Sequence, residues 1–248
     1  MASAVVYESV PREISVTLKA ESLTLAPAVQ DVVDREWSRA VREHPDWFRG
    51  EVFSIAHMSL DPKRLGIELK RTDYAHYLAT IRGLLDQSDA CRVLYGAGIG
   101  RTADNYLVFG QMGRHTAYGG RLQGVGGGLD FADVNQNAVD VVGSVRRELA
   151  EELGLVSAAI VPRWLKQGGP WDFVVLVCEV SLPLTLRQLL QQYRTFVRQV
   201  NDKGGVPEFE EVVALKGSWS AVEDFLAADS RPRVDYLSQA LRRMAEQR

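Results

Sequence analysis

Apolar and polar positions follow two different periods along this chain, and the places where the period changes divide it into elements. Residues 1 to about 25 alternate (Ala4-Val5-Val6-Tyr7, then Ile14-Ser15-Val16-Thr17-Leu18), which predicts two short strands. From Pro27 the spacing becomes helical, through Val29, Val32, Val33, Glu36, Trp37 and Ala40, and it ends before His44-Pro45. Phe48 to Leu60 returns to strand character, Asp61-Pro62 reads as a turn, and Ile67-Glu68-Leu69-Lys70 as another short strand. A helix from about Asp73 to Leu85 carries Tyr74, Tyr77, Leu78, Ile81 and Leu84 on one side. These elements predict a small α/β unit over residues 1–88, followed by a larger domain over 89–248. No repeat or low-complexity linker separates the two, so the first is expected to pack on the second.

In the second stretch, Val93-Leu94-Tyr95-Gly96-Ala97 and Asn105–Gly110 bracket a turn and predict a hairpin. Gly110 to Gly120 is a loop holding Arg114 and His115, and Leu122–Val125 leads into the glycine turn Gly126-Gly127-Gly128. Trp171 to Val180 is almost wholly apolar, the pattern of a central strand buried on both faces. Leu184 to Val200 has helical periodicity, a glycine-proline loop precedes the strand-like Glu208–Leu215, and a helix from about Val234 to Glu246 follows.

Composition alters this picture little. The chain has 248 residues, 46% hydrophobic and 25% charged, ordinary values for a globular protein. A net charge of −3 argues against a broad basic surface for nucleic acid. The two cysteines, Cys91 and Cys178, show no metal spacing, and Cys178 sits in an apolar run as a buried thiol would. No signal peptide, membrane-crossing run or lipidation motif is apparent, so the expected location is the cytoplasm, without a membrane partner.

The chemistry concentrates in Arg147-Glu148-Leu149-Ala150-Glu151-Glu152-Leu153-Gly154-Leu155. On a helix Glu148, Glu151 and Glu152 share one stripe, and like charges so close repel unless a cation sits among them. Val142, Val145, Leu149 and Leu153 form an adjoining apolar stripe, so the acids border a buried face. A solvated acidic helix end is the plain alternative. Acids beside a core suit a hard divalent cation, which takes several oxygen ligands.

The same residues resemble the second half of the Nudix box, the signature of Mg-dependent hydrolases of nucleoside diphosphates linked to another group. Every defined position of that half is matched, and Gly126-Gly127-Gly128-Leu129-Asp130 resembles the opening glycines and turn. The spacer departs from the family. Gly127, five residues and Asp133 fit the first interval, but thirteen residues separate Asp133 from Arg147 where the family has seven. An insertion of about six residues, with Asp133 in place of the first glutamate, accounts for this. The aromatic and proline that usually precede the glycines are missing as well.

The resemblance implies a Nudix-type α/β/α sandwich with a mixed sheet, carrying the N-terminal α/β unit. It implies Mg²⁺ as cofactor, with Mn²⁺ as the alternative ion. Glu151 and Glu152 would bind the ion directly, Glu148 would be a third or water-mediated ligand, and the carbonyl oxygen of Gly127 or Gly128 would assist. Arg147 would hold the carboxylates from behind, although a surface ion pair with Glu151 would look the same. The general base would be a glutamate on a later loop, with Glu210 and Glu211 as candidates and Glu208 behind them. Arg114, His115, Arg101 and Gly127 are candidates for substrate contacts, each equally readable as an ordinary solvated or turn residue. His57 and His76, in apolar surroundings, read as structural.

The layout ahead of the box (Val29-Gln30-Asp31 and Trp37, then Phe48-Arg49-Gly50, then Tyr74-Ala75-His76-Tyr77-Leu78) resembles the UDP-sugar-cleaving Nudix branch. That branch would split a UDP-hexose into UMP and sugar 1-phosphate. Two alternatives stay open: a Nudix domain that senses a nucleotide without cleaving it, and a pyrophosphatase for another diphosphate. The expected partner is a small nucleotide or diphosphate, without nucleic acid. A homodimer would follow family habit.

Overall fold

A computed structural model describes residues 3–116 and 119–247. In chain order these form β1 (Ser3–Ser9), β2 (Glu13–Ser22), α1 (Pro27–Glu43), β3 (Glu51–Leu60), β4 (Arg64–Asp73) and α2 (Tyr74–Ile81). Next come β5 (Leu94–Arg101), β6 (Tyr106–Met112), β7 (Leu122–Gln123), β8 (Val134–Asn135), β9 (Ala138–Val139) and α3 (Val141–Leu153). The chain continues with β10 (Ala159–Gly169), β11 (Val174–Ser181), α4 (Leu186–Asp202), β12 (Phe209–Lys216), α5 (Trp219–Ala228) and α6 (Leu237–Glu246). The fold is mixed α/β.

Two compact units emerge. The first holds residues 1–95 together with 128–141 and 165–174. Its sheet runs β3-β4-β2-β9-β8. β3 and β4 form an antiparallel hairpin whose turn is tied by the Asp61 carboxylate, which accepts from the Lys63 and Arg64 amides. β2 lies parallel to β4, with Val16 opposite Ile67, and Val16, Leu18, Leu65, Ile67 and Leu69 are buried at alternate positions, as a half-buried strand requires. Val33 of α1 packs with Ala75 and Ala79 of α2. The Asp73 carboxylate caps α2 by accepting the His76 amide.

Two expectations change in this unit, the end of α2 and the place of His57, while His76 keeps the structural role expected of it. α2 ends at Ile81 instead of Leu85, because Gly83 takes a left-handed φ of 67° and closes it. His76 is buried and bonded to Thr72 Oγ1 and the Asp89 carbonyl, a structural role. His57, by contrast, is exposed on edge strand β3, where the register slips between Ile55 and His57 and Ala56 is exposed beside it.

The spacer ahead of α3 is ordered within the same unit. Phe131–Asp133 makes one 3-10 turn, closed by a reciprocal cap in which Asp130 and Asp133 each accept the other's end of the turn. Residues 134–139 then form a tight hairpin around Gln136 (φ 58°), and Ala138 pairs with Thr17 of β2. The extra residues therefore extend the N-terminal sheet.

The second unit comprises 96–127, 142–164 and 175–248. Its strands follow the order β10-β11-β5-β6-β12, with β7 alongside β6. β11 is buried from Val174 to Val180, as its apolar run predicts. α3 packs through Val145, Leu149 and Leu153. It approaches the sheet at Gly98, where a Cβ would stand 3.0 Å from Val145 Cγ1 and 2.7 Å from Val180 Cγ2. α5 lies in a stretch for which the periodicity gave no element; it is short and follows a Ser218 cap.

Glu179 of β11 is buried between two guanidinium groups, Arg101 at 2.9 Å and Arg163 at 2.7 Å. Burial alone would raise its carboxyl pKa, but the two arginine hydrogen bonds outweigh that and hold it below the ordinary carboxylate range. A depressed folded pKa contributes stability above the unfolded value and loses it as pH falls through the folded value. Glu179→Gln should therefore cost about 3 kcal/mol at pH 7, the lower end for a broken buried pair because Arg163 stays partly in water. In urea unfolding the gap to the parent should close below pH 4.

Candidate metal centre

Helix α3 and the glycine turn create the site. Gly154, at φ 68°, ends the helix and returns its amide to the Ala150 carbonyl. One turn earlier, Glu148 and Glu152 stand at i and i+4 on the same face. Glu152 is 1% exposed, and Glu148's side chain 12%. Burying a carboxylate requires a donor, and the turn supplies one: the Gly126 amide donates to Glu152 Oε2 at 2.9 Å. Only glycine fits there. Gly126 has φ 143°, and a Cβ would run into the Gly96 carbonyl oxygen. At Gly127 a Cβ would come within 3.4 Å of Glu148 Oε1, so that backbone too lies close to the acids.

The third carboxylate comes from a distant stretch. Glu208, exposed and just ahead of β12, joins Glu148 and Glu152 so that ligand oxygens of all three lie within 4.8 Å of one another. Without a cation the arrangement is costly. Burial pushes the Glu152 carboxyl up to about 9, and the charges of Glu148 and Glu208 push the same way against the opposing Gly126 hydrogen bond. The same burial, with Glu152's charge nearby, lifts the Tyr193 phenol to about 12. A divalent cation would reverse this balance, since it offsets like charges and replaces the proton. The donor set is all oxygen, which fits Mg²⁺ or Mn²⁺ and not a thiophilic ion.

The other predicted residues fall into different surroundings. Glu151 is 57% exposed and pairs with Arg147 at 3.4 Å; it is not in the group of three. Arg147 also donates to Glu148 Oε1 at 2.9 Å, so it bridges two of the acids. Glu210 is the extra residue of a bulge between Phe209 and Glu211. Glu211 is exposed and bonds Arg231 at 2.8 Å. Arg101 is engaged by Glu179, Asn105 and the Met244 carbonyl. Arg114 and His115 are exposed on the loop after β6, and the His115 ring covers Gly113, whose amide donates to the Glu208 carbonyl. Gly128 is exposed and bridged to Tyr95 within the first unit. Asp133, expected where the family has its first glutamate, accepts the Asp130 amide in the 3-10 turn.

No protein-family model matches the chain, and no curated protein matches it. Among solved structures, it is similar to the protein DR0079 of Deinococcus radiodurans, at 16% identity and TM-score 0.41 over 62% of this chain and 83% of that one. It is also similar to a mutT/nudix family protein of Listeria innocua, at 15% identity and TM-score 0.40 over 62% and 92%. A third is the NUDIX domain of Shewanella oneidensis NrtR complexed with ADP ribose, at 16% identity and TM-score 0.36 over 70% and 97%. Those named by family are Nudix proteins.

The Glu152 carboxyl gives a stability test that needs no substrate. Its folded pKa is raised above the unfolded value, so ionisation favours the unfolded chain, and the metal-free protein loses stability as pH rises from about 4.5 towards 9. Glu152→Gln keeps an acceptor for Gly126 and removes the charge. In EDTA at pH 8 its Tm should exceed the parent's by at least about 4 °C, and at pH 4.5 the two should coincide.

Proposed function

We propose that this protein is a Nudix-type hydrolase that cleaves the diphosphate linkage of a nucleoside diphosphate derivative with the help of a divalent cation. The observation that carries this reading is the convergence of Glu148, Glu152 and Glu208, with Glu152 buried where its ionised form is disfavoured. The match of Arg147–Leu155 to the second half of the box supports the same reading from the sequence.

The roles follow from the surroundings of each side chain. Glu148 and Glu152 would hold Mg²⁺, with Mn²⁺ as the alternative. Such an ion supplies positive charge against the oxygens of the diphosphate. Gly126 orients Glu152 by its amide, and Arg147 steers Glu148 by its guanidinium. Glu208, at the exposed side of the group, can complete the ligand set or take the proton of the attacking water. That makes it a stronger base candidate than Glu210 or Glu211, the second of which is occupied by Arg231. For the substrate we favour a UDP-sugar, yielding UMP and a sugar 1-phosphate, on the layout of residues ahead of the box.

A panel of nucleoside diphosphate compounds with Mg²⁺, read by phosphate release after phosphatase coupling, tests the proposal. Turnover should appear with UDP-hexoses and vanish in EDTA. Glu152→Gln, Glu148→Gln and Glu208→Gln should each lose at least about 100-fold, and Glu151→Gln distinctly less. Full activity of Glu152→Gln would sink the metal assignment, and uniform inactivity with tight nucleotide binding would make the protein a sensor.

A further inference from the structure

We infer that the hydroxyls of Tyr236 and Tyr193 are positioning groups for this site: each fixes one of the two backbone segments that bring Glu152 and Glu208 together. The inference rests on the metal-site reading above. Neither tyrosine lies in a motif, and each reaches the site from a different helix.

Tyr236 acts on the glycine turn. Pairing of β7 with β6 ends at Gln123, opposite Gly110. Beyond it Val125 exchanges both backbone hydrogen bonds with Gly98, at 2.6 and 2.9 Å. Successive residues of an extended segment point their amides to opposite sides, so with Val125 turned to Gly98, Gly124 and Gly126 both donate away from it. Gly126 donates to Glu152, and Gly124 donates to the Tyr236 hydroxyl at 3.0 Å. The same edge of the turn is therefore held by a tyrosine and reads out a ligand carboxylate two residues later. Tyr236 is itself buried, at the start of α6, and the chain before it straps β7: Leu122 donates to the Pro232 carbonyl at 2.8 Å, and Val234 donates to that of Leu122 at 3.0 Å.

Tyr193 acts on the other segment. From α4 its hydroxyl donates to the Phe209 carbonyl at 2.7 Å, where the bulge in β12 interrupts the ladder. The neighbouring carbonyl, that of Glu208, accepts the Gly113 amide at 2.7 Å. The two carbonyls flanking the Glu208–Phe209 link are thus both fixed, and Glu208 leaves the backbone at a set place. A carboxylate group that must close on one ion depends on such outer partners, whose loss typically costs 10- to 100-fold in metal affinity.

The test is Mn²⁺ binding by calorimetry on the full chain, without substrate, for the parent and for Tyr236→Phe, Tyr193→Phe and Tyr106→Phe. Thermal unfolding is measured in parallel. Tyr106, whose ring lies under the Lys216 ammonium, is the control. Either of the first two changes leaves a buried backbone group short of a partner and lowers Tm, so Tm alone decides nothing. The expected result is roughly 10- to 100-fold weaker Mn²⁺ binding in Tyr236→Phe and Tyr193→Phe, with Tyr106→Phe like the parent. Parental affinity with a lowered Tm overturns the assignment for that tyrosine and leaves the metal site standing. A folded parent that binds no Mn²⁺ overturns the metal reading and this inference together.

Discussion

A single hydrogen bond, from the Gly126 amide to the buried carboxylate of Glu152, constrains much of the second unit. A carboxylate that is 1% exposed must find its partners inside the protein, and their positions leave little freedom. Gly126 must lie where no side chain fits, Val125 must pair with Gly98, and α3 must sit close enough to the strand to deliver Glu152. Gly98 permits that closeness, since a larger residue would strike Val145 and Val180. The glycines at 98 and 126 are therefore one requirement expressed twice, once on the strand and once on the turn.

The long spacer and the N-terminal unit are two parts of one solution. In sequence the spacer is an interruption of the box, and the first 88 residues are an addition ahead of it. In the structure residues 134–139 form a hairpin that continues the sheet of β2, β3 and β4. A two-strand hairpin of this length is not stable alone, so it needs the edge of β2 as a template. β2 in turn gains neighbours on both sides, which leaves fewer unpaired backbone groups on that strand.

What could be read from the sequence follows the range of the forces involved. α3, α4 and α6 were legible because helical periodicity is a local signal, and so was β11 from its unbroken apolar run. Glu148 and Glu152 were legible for the same reason, as two acids on one turn beside Leu149 and Leu153. Glu208 stood behind Glu210 and Glu211 because its place depends on a bulge at Phe209–Glu211, and register shifts leave no mark in residue type. Tyr193 and Tyr236 were invisible: a tyrosine that bonds a backbone carbonyl 16 residues away, or an amide 112 residues away, looks like any other core tyrosine. The exposed His57 shows the converse, since apolar neighbours in a strand say nothing about the face on which a given residue stands.

The adjacent acids Glu151 and Glu152 show how finely the helix sorts chemistry. They differ by one step of about 100° around the axis, and that step separates a side chain 57% exposed from one 1% exposed. Glu151 faces water and Arg147, an arrangement worth a few tenths of a kcal/mol on a helix surface. Glu152 faces the glycine turn and two other carboxylates, where its ionised form is costly unless a cation arrives. The same side chain is thus a surface ion-pair partner at one position and a buried member of a carboxylate group at the next. Arg147 joins the two regimes, because its guanidinium touches Glu151 outside and Glu148 at the edge of the group. The arginine therefore limits the swing of Glu148 from the edge of the carboxylate group, while Glu152, one turn on, is held by the Gly126 amide instead.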